Sequence, residues 1–281
     1  MKKLFVLFLT SLAIFTSCEW LEIDEEGMTT EKEVVEGLQK ALKIGADSAS
    51  SALAVVDGYY EGNEQYVKIP LPEEIRSIRN TLNDNGTLAS ISEMIGLEQA
   101  FEDVVLAVNR AAEDAASDAA PILKNAITGL SISEGLEILN GEVPGAANGA
   151  GAEGFDSTAA TQYLKLNTAD SLTLIYAPKI NESLGKDLVG KVSATEAWTE
   201  MTTLYNDFVG RTDVQTAITA ANLFGADISL PDQINDDLGE YSTRKALDGL
   251  FYKVGLEEKK IRRDPYQWAS DIIQKVFGKV N

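Results

Sequence analysis

Histidine is absent from the chain and cysteine occurs once. Without histidine there is no Ser-His-Asp or Cys-His catalytic unit, no imidazole base and no imidazole metal ligand. A single cysteine makes neither an intrachain disulfide nor a thiolate zinc site. Basic residues are scarce: 24 Lys and Arg stand against 44 Asp and Glu, a formal charge of −20 over 281 residues. That acidity argues against nucleic acid as a partner, because phosphate binding needs a basic face that releases counterions. No residue pattern implies a metal or a cofactor.

What is present begins with an address. Lys2 and Lys3 precede an apolar run from Leu4 to Phe15, too short for a final anchor but right for a secretory signal. Phe15-Thr16-Ser17-Cys18 resembles the lipobox of bacterial lipoproteins, and Cys18, the lone cysteine, stands where the lipidated residue belongs. The reading is a signal peptide over 1–17, an acidic tether over 18–29 and a helical domain over 30–281. Cleavage leaves 22 basic and 44 acidic side chains, a formal charge of −22 that an anionic lipid surface repels. Attachment to the membrane therefore falls to acyl chains on Cys18, two or more of which suffice. The expected place is the outer membrane of the cell envelope, facing the periplasm or the surface.

Past the tether the periodicity is helical. Thr30 and Glu33 fit a capping box, and Val35, Leu38, Leu42, Gly45, Ala49, Ala52 and Val56 follow at alternating spacings of three and four. The small middle of that stripe predicts close approach of another helix, and Gly58 is read as its stop. Pro72 with Glu73 and Glu74 opens a short helix that Asn85-Gly86 closes. Leu97, Phe101, Val104, Val108, Ala111 and Ala115 form a second long stripe. Pro121 restarts the chain, and Ser131 with Glu134 boxes a helix ending at Gly141. Asp156 caps a segment toward Tyr176, and Pro178 opens another through Leu184. Ser193 and Glu196 box the next, Ser242 caps a helix through Val254, and Asp264-Pro265 begins the last. The expectation is all-α: a bundle of about nine or ten helices with no significant sheet. One domain is expected, with a two-lobed alternative split at the Gly/Ala-rich loop 141–155.

Several blocks resemble a known family. Ile69-Pro70-Leu71-Pro72, Asn109-Arg110-Ala111-Ala112-Glu113, Ala159-Ala160-Thr161-Gln162-Tyr163, Lys245 to Phe251, Glu257 to Arg262 and Val276-Phe277-Gly278 occur in the order seen in domain-of-unknown-function family 4197. The resemblance covers Thr30 to Gly278. It implies an all-helical envelope protein, often a lipoprotein, and brings no activity with it. The chain departs from the family pattern at Glu142–Phe155, where the link is longer, and at Val108, where the family tends to have Met.

The remaining motifs have plain structural explanations. Gly149-Ala150-Gly151-Ala152-Glu153-Gly154 matches G-x-G-x-x-G but lacks the preceding strand a dinucleotide site needs. Asn83-Asp84-Asn85-Gly86 lacks the terminal acids of a calcium loop. Asp232, Asp236 and Asp237 read as a solvated acidic loop. Lys259, Lys260, Arg262 and Arg263 form the basic cluster, a candidate site for an anion or an acidic partner. Glu258 to Arg262 and Glu257 to Lys260 also sit at ion-pair spacing. Asn109, Arg110 and Glu113 form a candidate polar cluster, read as a structural ion pair before a ligand site. Tyr59, Tyr60 and Tyr66 crowd one connection, either plugging the bundle end or lining a pocket mouth.

No nucleophile–base pair marks an enzyme. The preferred function is a lipid-anchored helical binding or structural module. The alternatives are a carboxylate-dependent glycan hydrolase, whose chemistry needs only Asp and Glu, and a carrier of an apolar molecule between helices.

Overall fold

The computed structural model describes residues 29–62, 66–146, 155–190, 192–234 and 237–278. The signal peptide, Cys18, nearly all of the tether, Asp236 and the Gly149–Gly154 motif lie outside the described residues. Eleven α-helices stand among the described residues, with no strand and one isolated bridge between Val189 and Val192. The fold is all-α.

Helix α1 (Glu31–Leu53) starts where the capping box put it: Thr30 Oγ1 accepts from the Glu33 amide, and the Glu33 carboxylate accepts from the Thr30 amide. Val34, Leu38, Leu42, Gly45 and Ala49 are buried, so the stripe runs one residue off the expected Val35. The helix ends at Leu53 with Leu53 buried and Ala52 exposed, so the last two residues of the expected stripe do not join its buried face. Val56 is exposed and Asp57 turns the chain at φ 68°. Helix α2 (Glu73–Asn83) begins one residue after Pro72. Asn85 is a start signal as well as a stop: its Oδ1 accepts from the Leu88 amide and caps α3 (Gly86–Met94), a helix the apolar pattern did not announce.

Helix α4 (Leu97–Ala116) buries all six residues of its expected stripe. Helix α5 (Ala119–Gly129) follows with Pro121 in its first turn, where the missing amide has no intrahelical partner to lose. Helix α6 (Gly135–Leu139) is a single turn capped by position at Glu134; the expected Ser131–Glu134 box does not form. Helix α7 (Ala159–Leu184) runs straight through Pro178 instead of ending before it. The proline lies beside the exposed Leu174 and Ile175, so the turn it weakens is on the outer face. Helix α8 (Ala194–Gly210) carries the expected Ser193–Glu196 box in full. Helix α9 (Thr212–Leu223) buries only Val214, which is why no stripe predicted it.

Helix α10 (Leu238–Arg263) is capped by Asp237, whose Oδ1 accepts from the Gly239 and Glu240 amides; Ser242 lies inside the helix, buried. A 3₁₀ turn at Pro265–Gln267 precedes α11 (Asp271–Phe277), so Asp264-Pro265 opens that turn and not the last helix itself.

Helices α1 and α7 flank α10, α4 lies between α7 and α8, and α5 and α11 close on α1. One continuous apolar cluster joins them. The small-residue expectation for α1 holds at Gly45, where a Cβ would stand 2.9 Å from Val254 Cγ1 on α10. That space is occupied by a neighbouring helix, not left as a cavity.

Candidate functional site

Glu258 and Arg262 lie one turn apart on α10 and both are buried. The Glu258 carboxylate accepts from the Ala160 amide at 3.0 Å, the Thr161 amide at 2.8 Å and Thr161 Oγ1 at 2.6 Å. Those amides belong to the first turn of α7, which lacks intrahelical partners for them and favours a negative charge. Arg262 donates through Nε to Glu258 at 2.9 Å and through Nη1 and Nη2 to the Leu139 and Ile138 carbonyls, at 2.7 and 3.0 Å, at the end of α6. Its guanidinium also sits 5.5 Å from the Phe155 ring centroid and 5.4 Å from that of Phe277. One ion pair thus ties the start of α7, the end of α6 and α11 to α10. The pair expected from i,i+4 spacing is present, but as a buried staple and not a solvated one.

This staple withdraws Arg262 from the basic cluster. Lys260 pairs with Glu257 at 2.5 Å, while Lys259 and Arg263 are exposed. Arg262 is therefore buried away from the other three cations, which are exposed; Lys259 and Arg263, four residues apart, share a face.

The Asn109–Arg110–Glu113 cluster is also spent on structure. Asn109 Oδ1 accepts from the Ile69 amide at 2.9 Å, and Nδ2 donates to the Ile69 and Val105 carbonyls at 2.8 and 2.7 Å. Glu113 Oε1 accepts from the Tyr59 and Tyr60 amides, both at 3.0 Å. Arg110 bridges Glu113 at 2.6 Å and Asp57 at 2.5 Å. Together they pin the connection between α1 and α2 onto α4, so its backbone is satisfied without a strand. Ile69 and Leu71 can then bury their side chains there. Tyr59 is buried under the same network and donates its hydroxyl to the Ala246 carbonyl at 2.7 Å. Desolvation holds its hydroxyl well above the ordinary tyrosine range.

Above the Glu258 staple, α7 and α10 part into a cleft of about 440 Å³. Gly255 and Leu256 of α10 form its floor, and Tyr66, Phe251 and Tyr252 its aromatic side. The Tyr66 and Tyr252 rings stack, with centroids 4.7 Å apart and planes 10° apart. Thr158, Thr161 and Gln162 of α7 face them. Lys165 closes one end, 2.8 Å from Asp248 and 5.9 Å from the Phe251 ring centroid. Lys245 also reaches Asp248, at 3.7 Å. Lys259 lies at the other end. Along α10 the lining residues Asp248, Phe251, Tyr252, Gly255, Leu256 and Lys259 step by three, four and their sums, which places them on one face.

Of the cations singled out from sequence, only Lys259 reaches the cleft, and of the crowded tyrosines only Tyr66 does. The sequence does not mark Lys165 or Tyr252, and it names Gln162 and Asp248 only within the blocks that resemble the family. For Asp248 and Tyr252 the available signal is a second stripe on α10, beside the apolar one through Leu247, Leu250 and Val254. A second hollow of about 600 Å³ lies between α5 and α7, bordered by Ile122, Leu130, Leu172 and Ile175.

The family model described as "Protein of unknown function (DUF4197)" matches residues 28–278. No curated protein and no solved structure matches the chain.

Proposed function

The chain belongs to the DUF4197 family, and from that premise we propose that it is a lipid-anchored cell-envelope protein whose helical domain binds a small ligand in the α7–α10 cleft. The observation that carries the binding reading is the make-up of the cleft. Its volume falls within the ~300–1,000 Å³ typical of small-molecule sites, and its walls combine aromatic rings with a few placed polar groups. A rigid support lies beneath it, because Glu258 and Arg262 fix the register of α7 against α10.

The hydrolase alternative is weaker on the same geometry. Glycoside hydrolysis needs two carboxylates flanking one bond. Among the described residues Asp248 is the one carboxylate lining the cleft, and it is engaged by Lys165 and Lys245. Glu113 and Glu258, the buried acids, accept hydrogen bonds from the protein's own amides. Carriage of an apolar molecule along the small residues of α1 fails at Gly45, where Val254 fills the space.

Anchoring rests on Cys18 and its surrounding sequence. No described helix is long and apolar enough to cross a membrane, so attachment is assigned to the N-terminal acyl chains. Two measurements test the proposal. Detergent phase partitioning should place the wild-type chain with the membrane lipids and Cys18→Ala in the aqueous phase; equal partitioning would refute the anchor. Native mass spectrometry of the chain isolated from its own membranes should show a bound small-molecule mass that the cleft-filling Gln162→Trp variant lacks. A wild-type chain without bound mass, or equal masses on both proteins, would refute the cleft.

A further inference from the structure

We infer that the α7–α10 cleft takes an anionic saccharide, a sugar unit bearing a carboxylate; this rests on the cleft being the binding site. Three features of the lining point there.

The first is shape. From Asp248 to Lys259 the cleft follows eleven residues of α10, ~16 Å at the helical rise of 1.5 Å per residue. A volume of about 440 Å³ over that length leaves room for a ligand one ring thick. An elongated, single-file trough suits linked rings better than a compact heterocycle.

The second is the pairing of wall chemistries. Tyr66 and Tyr252 present stacked rings, and Tyr66 is 47% exposed, so its ring remains open to a ligand. Aromatic faces carry negative quadrupole charge and attract the positively polarised C–H face of a sugar ring. The opposite wall supplies Gln162 and Thr158, and the Lys165–Asp248 pair stands at one end. Thr158 donates its hydroxyl to Asp156 and Lys165 pairs with Asp248, which leaves the hydroxyl lone pairs, the remaining ammonium protons and the Gln162 amide to match ring hydroxyls and acetamido groups at the sugar's edge.

The third is charge. Lys165 and Lys259 against Asp248 make the lining net positive within a chain of formal charge −20. Asp248 is held by Lys165 at 2.8 Å, while Lys259 has no ion-pair partner among the described residues. An ammonium without a carboxylate at the end of a sugar-sized trough selects a ligand that brings its own carboxylate. The acidity of the chain as a whole repels anions, so an anionic ligand depends on a local cation such as Lys259.

The experiment is titration calorimetry on the full lipidated chain in detergent with two disaccharides. One is N-acetylglucosaminyl-N-acetylmuramic acid, which carries a lactyl carboxylate. The other is diacetylchitobiose, the same ring pair without it. The carboxylated disaccharide should bind about tenfold more tightly than the neutral one, as expected for one charge-assisted hydrogen bond. That advantage should shrink as salt rises. Lys259→Met should erase it, so that the two disaccharides bind alike, and Tyr252→Ala should weaken both ligands. Equal affinity for the two disaccharides, or a Lys259→Met chain that keeps the preference, overturns the anionic assignment. Should neither sugar bind while the mass held by wild type is still lost from Gln162→Trp, the saccharide assignment falls and the cleft stands. Disaccharide binding that survives Gln162→Trp refutes the cleft itself.

Discussion

Replacing Glu258 by Ala is the sharpest probe of how this fold is held. The carboxylate is 1% exposed and accepts three hydrogen bonds from Ala160 and Thr161, besides pairing with Arg262 at 2.8 Å. Its loss leaves two amides of the first turn of α7 unsatisfied and a buried guanidinium without a counter-charge. Breaking a buried pair from one side costs about 3–5 kcal/mol. In a domain of this size each kcal/mol shifts the melting temperature by roughly 2–4 °C, so Glu258→Ala should melt about 6–20 °C below wild type. Arg262→Met should cost less, because Glu258 keeps its two amides and the Thr161 hydroxyl. The double variant should lie close to Glu258→Ala alone and well short of the two effects added, since both disrupt one network. Thermal unfolding followed by far-UV circular dichroism measures all three. A Glu258→Ala chain within about 1 kcal/mol of wild type, or strictly additive losses, would refute the staple.

Three further outcomes follow from the same contacts. Gly45→Val should destabilise by about 1–3 kcal/mol through overpacking, because its Cβ would stand 2.9 Å from Val254 Cγ1 and 3.2 Å from the Val254 carbonyl oxygen; chemical denaturation at wild-type stability would contradict the close approach of α1 and α10. Asn109→Leu should cost about 2–3 kcal/mol by stranding the Ile69 amide and carbonyl, and hydrogen exchange should report it as faster exchange at Ile69. The hydrogen bond from Lys275, followed by that from the Thr30 amide, holds the Glu33 carboxyl at about 2, below its ordinary 4.5. A depressed carboxyl stabilises the fold above its unfolded value and loses that contribution as pH falls toward the folded one. The melting-temperature gap between wild type and Lys275→Met should therefore close between pH 4.5 and 2, and a gap constant with pH would contradict the tie between α1 and α11.

Local signals carried most of the fold. The Thr30–Glu33 and Ser193–Glu196 boxes form, whereas the equally local Ser131–Glu134 box does not, because α6 starts only at Gly135, with Glu134 itself at its N-cap position. The α4 stripe was readable because one whole face of that helix is buried. Three kinds of signal misled. Asn85 and Gly86 end α2 and also begin α3, since an Asx side chain that breaks one helix can cap the next. Pro178 marks a break only where no tertiary packing overrides it, and α7 is held on both sides by α4 and α10. Ser242 looked like a cap, but Asp237 is the residue at the true boundary.

The site was less legible than the fold. The Glu258–Arg262 spacing announced an ion pair, yet nothing local says that the first turn of α7, nearly a hundred residues earlier, would bring it two amides. The cleft needs Tyr66, one face of α7 and one face of α10, three segments far apart in sequence. As candidate site residues the sequence marks only Lys259, in a basic run, and Tyr66, in an aromatic crowd; Thr161, Gln162, Asp248 and Phe251 stand out only as parts of the blocks that resemble the family.

The central claim is that the α7–α10 cleft is where this protein binds its ligand. The most direct test is a crystal structure of the chain isolated from its own membranes with its ligand retained. The account predicts electron density between α7 and α10, against the Tyr66 and Tyr252 rings and reaching Lys259. Density seated in the hollow between α5 and α7, with the α7–α10 cleft empty, would contradict it.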